Sequence, residues 1–324
     1  MGSDRAPNPE VVGALRAVRA NASLEVTLVG DAVRVELELE REGRTSNDRI
    51  EVLHASDVIT THDHPGQAFR AKPDSSMRVA VARVANDQGD AVVSAGNSGA
   101  MLACCLFVLG RIPGIERPVI VTVMPTPSGP LVLCDSGGNT EPKATQLAQF
   151  AVLGAAYHRV VHACARPRVG ILSNGTEPGK GTPLTREADA ILAAITSSFQ
   201  YVGYVEGSDL FRGIVDVVAT DGFTGNVLLK SFEGLAESML GLVRRELEKA
   251  SLGSAVVESA VLGLAKVIDY TEVGGALLAG VAKPAVIAHG RSDATAIASA
   301  IRAALRFAER SLPAQLASAL TALG

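Results

Sequence analysis

The sequence has no excess of positive charge: its 324 residues carry 30 Lys and Arg against 34 Asp and Glu, a formal net charge of -4. A chain so balanced has no basic field with which to collect nucleic acid, which is excluded as a partner. Long apolar runs are missing as well. The longest nearly unbroken one, Ala100 to Gly110, falls short of the roughly 20 residues a spanning helix needs, and no charged-then-apolar leader precedes a cleavage site. A cytoplasmic protein is expected. Cysteine is sparse: Cys104, Cys105, Cys134 and Cys164 show no CxxC spacing, and two are adjacent in an apolar stretch, so all four read as buried, reduced thiols. The catalytic signatures GxSxG, GxGxxG, GxxxxGK[ST] and HExxH are absent, and no credible Cys–His pair is present. No cofactor and no metal is called for.

What is present is an alternation of strands and helices, which predicts an α/β fold. Pro9 opens a helix through about Ala20, with Val11, Leu15 and Val18 on one face. Strands are expected at Glu25–Asp31 and Ile50–His54, with a helix carrying Val33, Val35, Leu37 and Leu39 between them. Two strands, Pro118–Met124 and Pro130–Cys134, joined by a Pro/Gly/Ser turn, interrupt the alternation and predict a mixed, mostly parallel sheet. Further helices are expected at about 142–161, from Pro183, and after a cap at Asp293. No repeat or low-complexity linker divides the chain, so one domain with a helical appendage over about 228–268 is expected.

Four turns share one design. Ala91-Val-Val-Ser-Ala-Gly-Asn-Ser-Gly-Ala100 is an apolar strand running through Gly96, Asn97, Ser98 and Gly99 into a helix. Such a turn aims free backbone N–H groups and the positive end of a helix dipole at one point, which suits an anion; an ordinary turn capped by Ser98 is the alternative. Asp135-Ser-Gly-Gly-Asn139 repeats the device after a strand, as does Asp221-Gly-Phe-Thr-Gly-Asn226 with Gly222 and Gly225. Ser173-Asn-Gly-Thr-Glu-Pro-Gly-Lys-Gly-Thr182, carrying Lys180, resembles a phosphate loop only loosely. Loops at the carboxyl ends of parallel strands face the ligand side of an open α/β sheet, which places these turns on one pocket.

Other groups were weighed beside these. The HxH spacing of His62, Asp63 and His64 suits a metal or, more simply, a solvated loop. Lys72, Ser75, Ser76 and Arg78 suit an anion or a helix start with Asp74 or Ser75 as its cap. His289, at the end of a last strand, either serves the site or is a satisfied structural histidine. An amphipathic helix from Leu228, with Leu228, Phe232, Leu235, Met239, Val243 and Leu247 on one face, breaks at Ser251–Ser254 and is followed by an apolar helix over 255–268. This hairpin could pack on a second subunit, touch a membrane surface with its tip, or cover the sheet.

A polar, glycine-rich site without a nucleophile suits a reaction in which the nucleophile arrives as substrate. Inorganic phosphate is already ionised near neutral pH, and a thiolate leaving group with pKa near 8.5 needs little acid assistance. The protein then has to hold phosphate, orient the acyl carbonyl and stabilise its oxyanion with fixed donors.

Six motifs in order, Lys72-Pro-Asp-Ser-Ser-Met-Arg78, Ala95-Gly-Asn-Ser-Gly-Ala100, Leu109-Gly-Arg-Ile112, Asp221–Asn226, Asp269-Tyr-Thr-Glu-Val-Gly-Gly275 and Ala288-His-Gly290, make nearly the whole chain resemble the PlsX family of bacterial phosphate acyltransferases. The resemblance implies a Rossmann-like three-layer α/β/α sandwich and transfer of an acyl group from acyl carrier protein to inorganic phosphate. The product would be acyl phosphate for phospholipid synthesis, consumed by a downstream acyl phosphate:glycerol-3-phosphate acyltransferase. It also implies a homodimer, loosely peripheral on the inner membrane face through the hairpin tip around Leu247 to Val257. Asn97, Ser98, Asn139, Lys180 and Asn226 are the expected donors around phosphate and oxyanion. Asp135 and Asp221 orient them, and Gly96, Gly99, Gly222, Gly225 and His289 line the site. Two departures stand out. The family pattern has a first strand ending in Asp-Ala before a Met-Gly-Gly-Asp turn, whereas Met1-Gly-Ser-Asp4 begins at the turn, so either the start lies upstream or a strand and a pocket wall are missing. Thr176 stands where the family loop usually has a carboxylate. Two other readings are a nicotinamide-dependent dehydrogenase of related layered fold and a non-catalytic, membrane-tethered scaffold for acyl carrier protein.

Overall fold

The computed structural model describes residues 1–177, 179–195, 199–250, 254–268 and 274–320. In chain order its first elements are α1 (Asn8–Ala20), β1 (Val26–Gly30), α2 (Ala32–Arg41), β2 (Ile50–His54), α3 (Pro65–Ala71), α4 (Ser76–Ala85), β3 (Val92–Ser94) and α5 (Ser98–Cys104). Next come β4 (Val119–Thr126), β5 (Gly129–Cys134), α6 (Ala144–His162), β6 (Arg168–Leu172), α7 (Pro183–Ala193), β7 (Gln200–Val205) and β8 (Val217–Ala219). The last are α8 (Gly222–Lys249), α9 (Ser254–Ile268), β9 (Ala276–Ala279), β10 (Ala285–Ile287), α10 (Ala294–Glu309) and α11 (Leu312–Leu320). The class is α/β, of the three-layer kind, with a mixed, mostly parallel sheet.

The chain divides into two compact units, one of residues 1–121, 160–162 and 271–324, the other of residues 122–159 and 163–270. In the first unit β1 and β2 form a parallel pair, and β3 pairs in parallel with β10, which continues antiparallel to β9 and then β4. In the second unit the order is β4-β5-β8-β6-β7. Only Pro127 and Ser128 join β4 to β5, a connection that an antiparallel pair permits, and β5, β8, β6 and β7 are parallel. The interruption expected from the two proline-started strands is therefore there.

The core of the second unit follows from apolar runs flanked by strands on both sides. Leu131 to Cys134 and Val217 to Ala219 are all buried, as a central parallel strand requires. Helix α6 comes close enough to this sheet that an added Cβ at Gly154 would meet Cys134 Sγ and Val217 Cγ1. Cys104, Cys105 and Cys134 are free and buried, and burial pushes the Cys104 thiol up to about 11. Cys164, in the turn after α6, is half-exposed and so departs from the expected burial.

Helix α8 starts at Gly222, six residues before the Leu228 expected from periodicity. Asp221 caps it, accepting Thr224 N–H at 2.8 Å. Among the described residues no helix is long and apolar enough to cross a membrane. The expected break at Ser251–Ser254 falls largely outside the described residues, as do residues 269–273 of the Asp269–Gly275 motif.

Candidate active site

The site in the second unit is built on the end of β5. Asp135 is fully buried there, and its carboxylate folds the turn that follows. Oδ1 accepts the N–H groups of Gly137 (3.2 Å) and Gly138 (3.0 Å), while Oδ2 accepts Asn139 N–H (2.5 Å) and Asn139 Nδ2–H (2.9 Å). Charge-assisted bonds of this kind are roughly twice as strong as neutral ones. Asp135 is thus a framework group that fixes Asn139, as its orienting role anticipated.

The β5–β8 ladder carries this turn onto the start of α8. Asp135 N–H donates to Thr220 O at 3.0 Å and Thr220 N–H to Cys134 O at 2.6 Å, after which Gly222 N–H donates to Asn139 O at 2.6 Å. Both helix-start glycines are required by that approach. An added Cβ at Gly222 would lie 2.7 Å from Asn139 N and 2.9 Å from Asp135 Oδ2, and one at Gly225 would overlap the Asp135 carbonyl oxygen. Gly137 adopts φ 134° and faces Asn226: its added Cβ would stand 3.6 Å from Asn226 Cβ and Cγ. Asp135, Asn139, Asp221, Gly222, Gly225 and Asn226 therefore form one cluster. Cys134, next to it, is no nucleophile, because full burial holds its thiol well above the ordinary range.

Lys180 lies on a separate loop leaving the same edge. The register pairs Cys134 with Ala219 and Ile171 with Ala219, so β5, β8 and β6 end together. Asn174 Oδ1 accepts Gly181 N–H at 2.9 Å and closes the loop, and Thr182 caps α7 through Thr185 N–H. The Lys180 ammonium sits 4.0 Å from Glu177 Oε2 with both side chains exposed, an ion pair of little energetic worth.

In the first unit, β3 and β10 are parallel with Ser94 opposite Ile287, so Gly96–Gly99 and His289 leave one end of that sheet. Asn97, not Ser98, caps α5, its Oδ1 accepting Ala100 N–H at 3.0 Å. The Asn97 amide donates to the carbonyls of Thr60 (3.3 Å), Thr61 (3.5 Å) and Asp63 (3.1 Å). An added Cβ at Gly99 would press on Pro65 Cγ at 2.8 Å, so the 60–65 segment lies against the start of α5. Asn97 is thereby engaged in holding this segment. Ser98 is exposed, and His289 Nδ1 accepts Arg291 N–H at 3.1 Å.

The nearby cations are also engaged. Lys72 Nζ donates to Val58 O (2.9 Å) and to Asp63 Oδ2 (2.6 Å), and with the Thr60 N–H it holds the Asp63 carboxyl down at about 2. Arg78 donates to Phe69 O at 3.0 Å and lies over the Phe69 ring. Ser75 occupies the cap position of α4 without bonding through its side chain, while Asp74 is taken up by Ser56. The structural readings of these residues hold, and Asp63 is committed to an ion pair. Sequence reasoning missed Asn174 as the clasp of the Lys180 loop; Asx chemistry at a glycine-rich turn was the available signal.

The model of a family described as fatty acid synthesis protein matches residues 1–315. Phosphate acyltransferase of Myxococcus xanthus is 46% identical over 323 residues, covering 98% of this chain and 90% of the relative. Phosphate acyltransferase of Geobacter sulfurreducens is 46% identical over 320 residues, with 98% and 91% covered. Among solved structures, a phosphotransacetylase from Streptococcus pyogenes superposes with TM-score 0.64 at 18% identity, covering 94% of this chain and 92% of that one. A branched-chain phosphotransacylase from Enterococcus faecalis V583 gives TM-score 0.57 at 17% identity, covering 96% of each. These structural likenesses bear on the fold alone.

Proposed function

Because the chain belongs to the fatty acid synthesis protein family and is an acyltransferase that transfers acyl groups to phosphate, we propose that its donor is a thioester of acyl carrier protein and its product an acyl phosphate for phospholipid synthesis. The observation that carries this reading is the Asp135 turn, whose carboxylate is consumed in fixing amides and Asn139 while the adjacent thiol stays protonated. Such a turn supplies oriented donors and no nucleophile, which is what attack by a bound phosphate needs.

In the proposed step a phosphate oxygen attacks the thioester carbonyl carbon. The C–S bond of the resulting tetrahedral species breaks, releasing acyl phosphate and a carrier thiolate that takes a proton from water. Asn139, Asn226 and the first amides of α8 stabilise negative charge on phosphate and carbonyl oxygen, and Lys180 adds charge attraction for phosphate. Asp135 and Asp221 orient these groups from beneath. The exposed apolar side chains of α8 and α9, among them Leu235, Met239, Leu242 and Leu262, support a homodimer through this hairpin, with weak membrane-surface contact at its tip. A membrane-bound acyltransferase consuming acyl phosphate is the implied successor.

The test mixes the protein with acyl carrier-protein thioester and phosphate and traps acyl phosphate with hydroxylamine. Hydroxamate that requires phosphate is expected; its absence while the thioester is consumed by water alone would overturn the assignment.

A further inference from the structure

The first unit contains a slot of about 890 Å³ that the acyl-transfer chemistry does not use. Two of its walls are strands, Val26 to Val29 of β1 and Val92 to Ser94 of β3. Each strand is paired on one side alone, β1 with β2 and β3 with β10, and each turns its other edge to the slot. Helices already cover the faces: α4 packs on both β1 and β3, α1 on β1, and α10 on β3. Val84 of α4 and Ile297, Ile301 and Leu305 of α10 give the slot an apolar floor and roof.

The chemistry of these walls selects the occupant. A fatty chain would satisfy the aliphatic side chains and leave both rows of strand N–H and C=O groups without partners. Backbone groups removed from water need such partners, so the alkyl reading fails on the edges. One strand, spaced about 4.8 Å from each neighbour, satisfies both rows and fills the apolar volume together. The burial of β1 points the same way. Val26, Leu28 and Val29 are only half-buried, whereas the equally apolar β5 and β8, flanked on both sides, are buried throughout.

Met1 shows from which direction the strand arrives. Its side chain lines the slot and packs on Gly30 at the end of β1, and its amino group is buried. The turn that follows is pinned by Asp4 N–H donating to Gly290 O at 3.0 Å and by Arg5 reaching Arg291 O. The acyltransferase relatives also have chain beyond the matched part, about a tenth of their length.

We propose that this slot is the seat of one further β-strand of about five alternately apolar residues, joined to the chain at Met1 and hydrogen-bonded to both β1 and β3.

The test appends residues before Met1 of the full chain: in one protein seven alternating valine and threonine residues, in another seven glycine and serine residues. Amide exchange at Val26–Gly30 and Val92–Ser94 is then read without any turnover, so the result stands apart from the acyl-transfer assay. The valine–threonine protein is expected to exchange there at least tenfold more slowly than the unextended chain, with a higher unfolding temperature, and the glycine–serine protein to match the unextended chain. Equal exchange in all three proteins would overturn the proposal. Protection of the same amides by added decanoate, with none from the valine–threonine extension, would overturn it in favour of an acyl-chain pocket.

Discussion

The turn from Asp135 to Asn139 and the loop from Ser173 to Gly181 leave the same edge of one sheet, yet they are held in different ways. The first is buried, and a carboxylate at its base gathers three backbone N–H groups and an amide, with α8 seated against it through two glycines. The second stands in solvent, closed by Asn174 on Gly181 N–H, with a lysine 45% exposed at its tip. The difference separates two tasks that one reaction needs. Fixed donors must not move as charge develops, since their advantage over water lies in being oriented beforehand. A residue that brings in a small, strongly hydrated anion needs reach and positive charge, which an exposed lysine provides.

The comparison breaks most sharply at Gly225. Replacing it by alanine puts a methyl group onto the Asp135 carbonyl oxygen, and backbone on both sides prevents relief. Gly225→Ala is expected to lower stability by roughly 3 kcal/mol or more, read from denaturant midpoints at unchanged m-value. Asp135→Asn comes next. The new amide cannot accept on both sides, so two of the four donors lose their acceptor and the charge assistance goes. A loss of about 2 to 3 kcal/mol is expected, with activity falling further than the folded fraction does. Stability of Asp135→Asn within about 0.5 kcal/mol of the parent would show the turn to be held by the sheet ladder instead.

The same contrast accounts for what could be read before the structure. Cooperative, periodic elements were legible: the amphipathic α1, the strands β5 and β8, and the caps Asp31, Asp221 and Asp293, whose side chains accept the helix-start N–H groups. Elements defined by their neighbours were not. Strand β7 is the sheet edge, half-exposed, with a glycine at φ 81°, and has no apolar signal of its own. Strand β9 is four residues long and follows two glycines, which read as a turn. Helix α3 has seven residues starting Pro-Gly, and α8 began early because Gly222 and Gly225 resemble loop residues. Those glycines are helical because α8 abuts the Asp135 turn, a tertiary reason that local propensity does not encode. Likewise the side-chain types of the site were legible, and their roles were not. Asn97 read as a substrate donor, whereas its amide is engaged by three carbonyls of the 60–63 segment.

Two substitutions sharpen the comparison with little cost in stability. Asn226 faces Gly137 from the first turn of α8, so Asn226→Ala removes a donor from the fixed cluster while leaving the Asp135 bonds in place. A fall in kcat of roughly a hundredfold is expected at a stability change under about 1 kcal/mol. An unchanged kcat would remove Asn226 from the oxyanion donors.

The smallest structural effect belongs to Lys180. Its single ion pair with Glu177 is long and solvent-screened, so Lys180→Ala should leave stability within about 0.5 kcal/mol of the parent. If the exposed loop recruits phosphate, the KM for phosphate should rise roughly tenfold while kcat at saturating phosphate stays close to the parent value, and raising the salt concentration should narrow the gap by screening the lost attraction. A fall in kcat with unchanged KM would place the ammonium among the fixed donors, and the division of labour between the two loops would then be wrong.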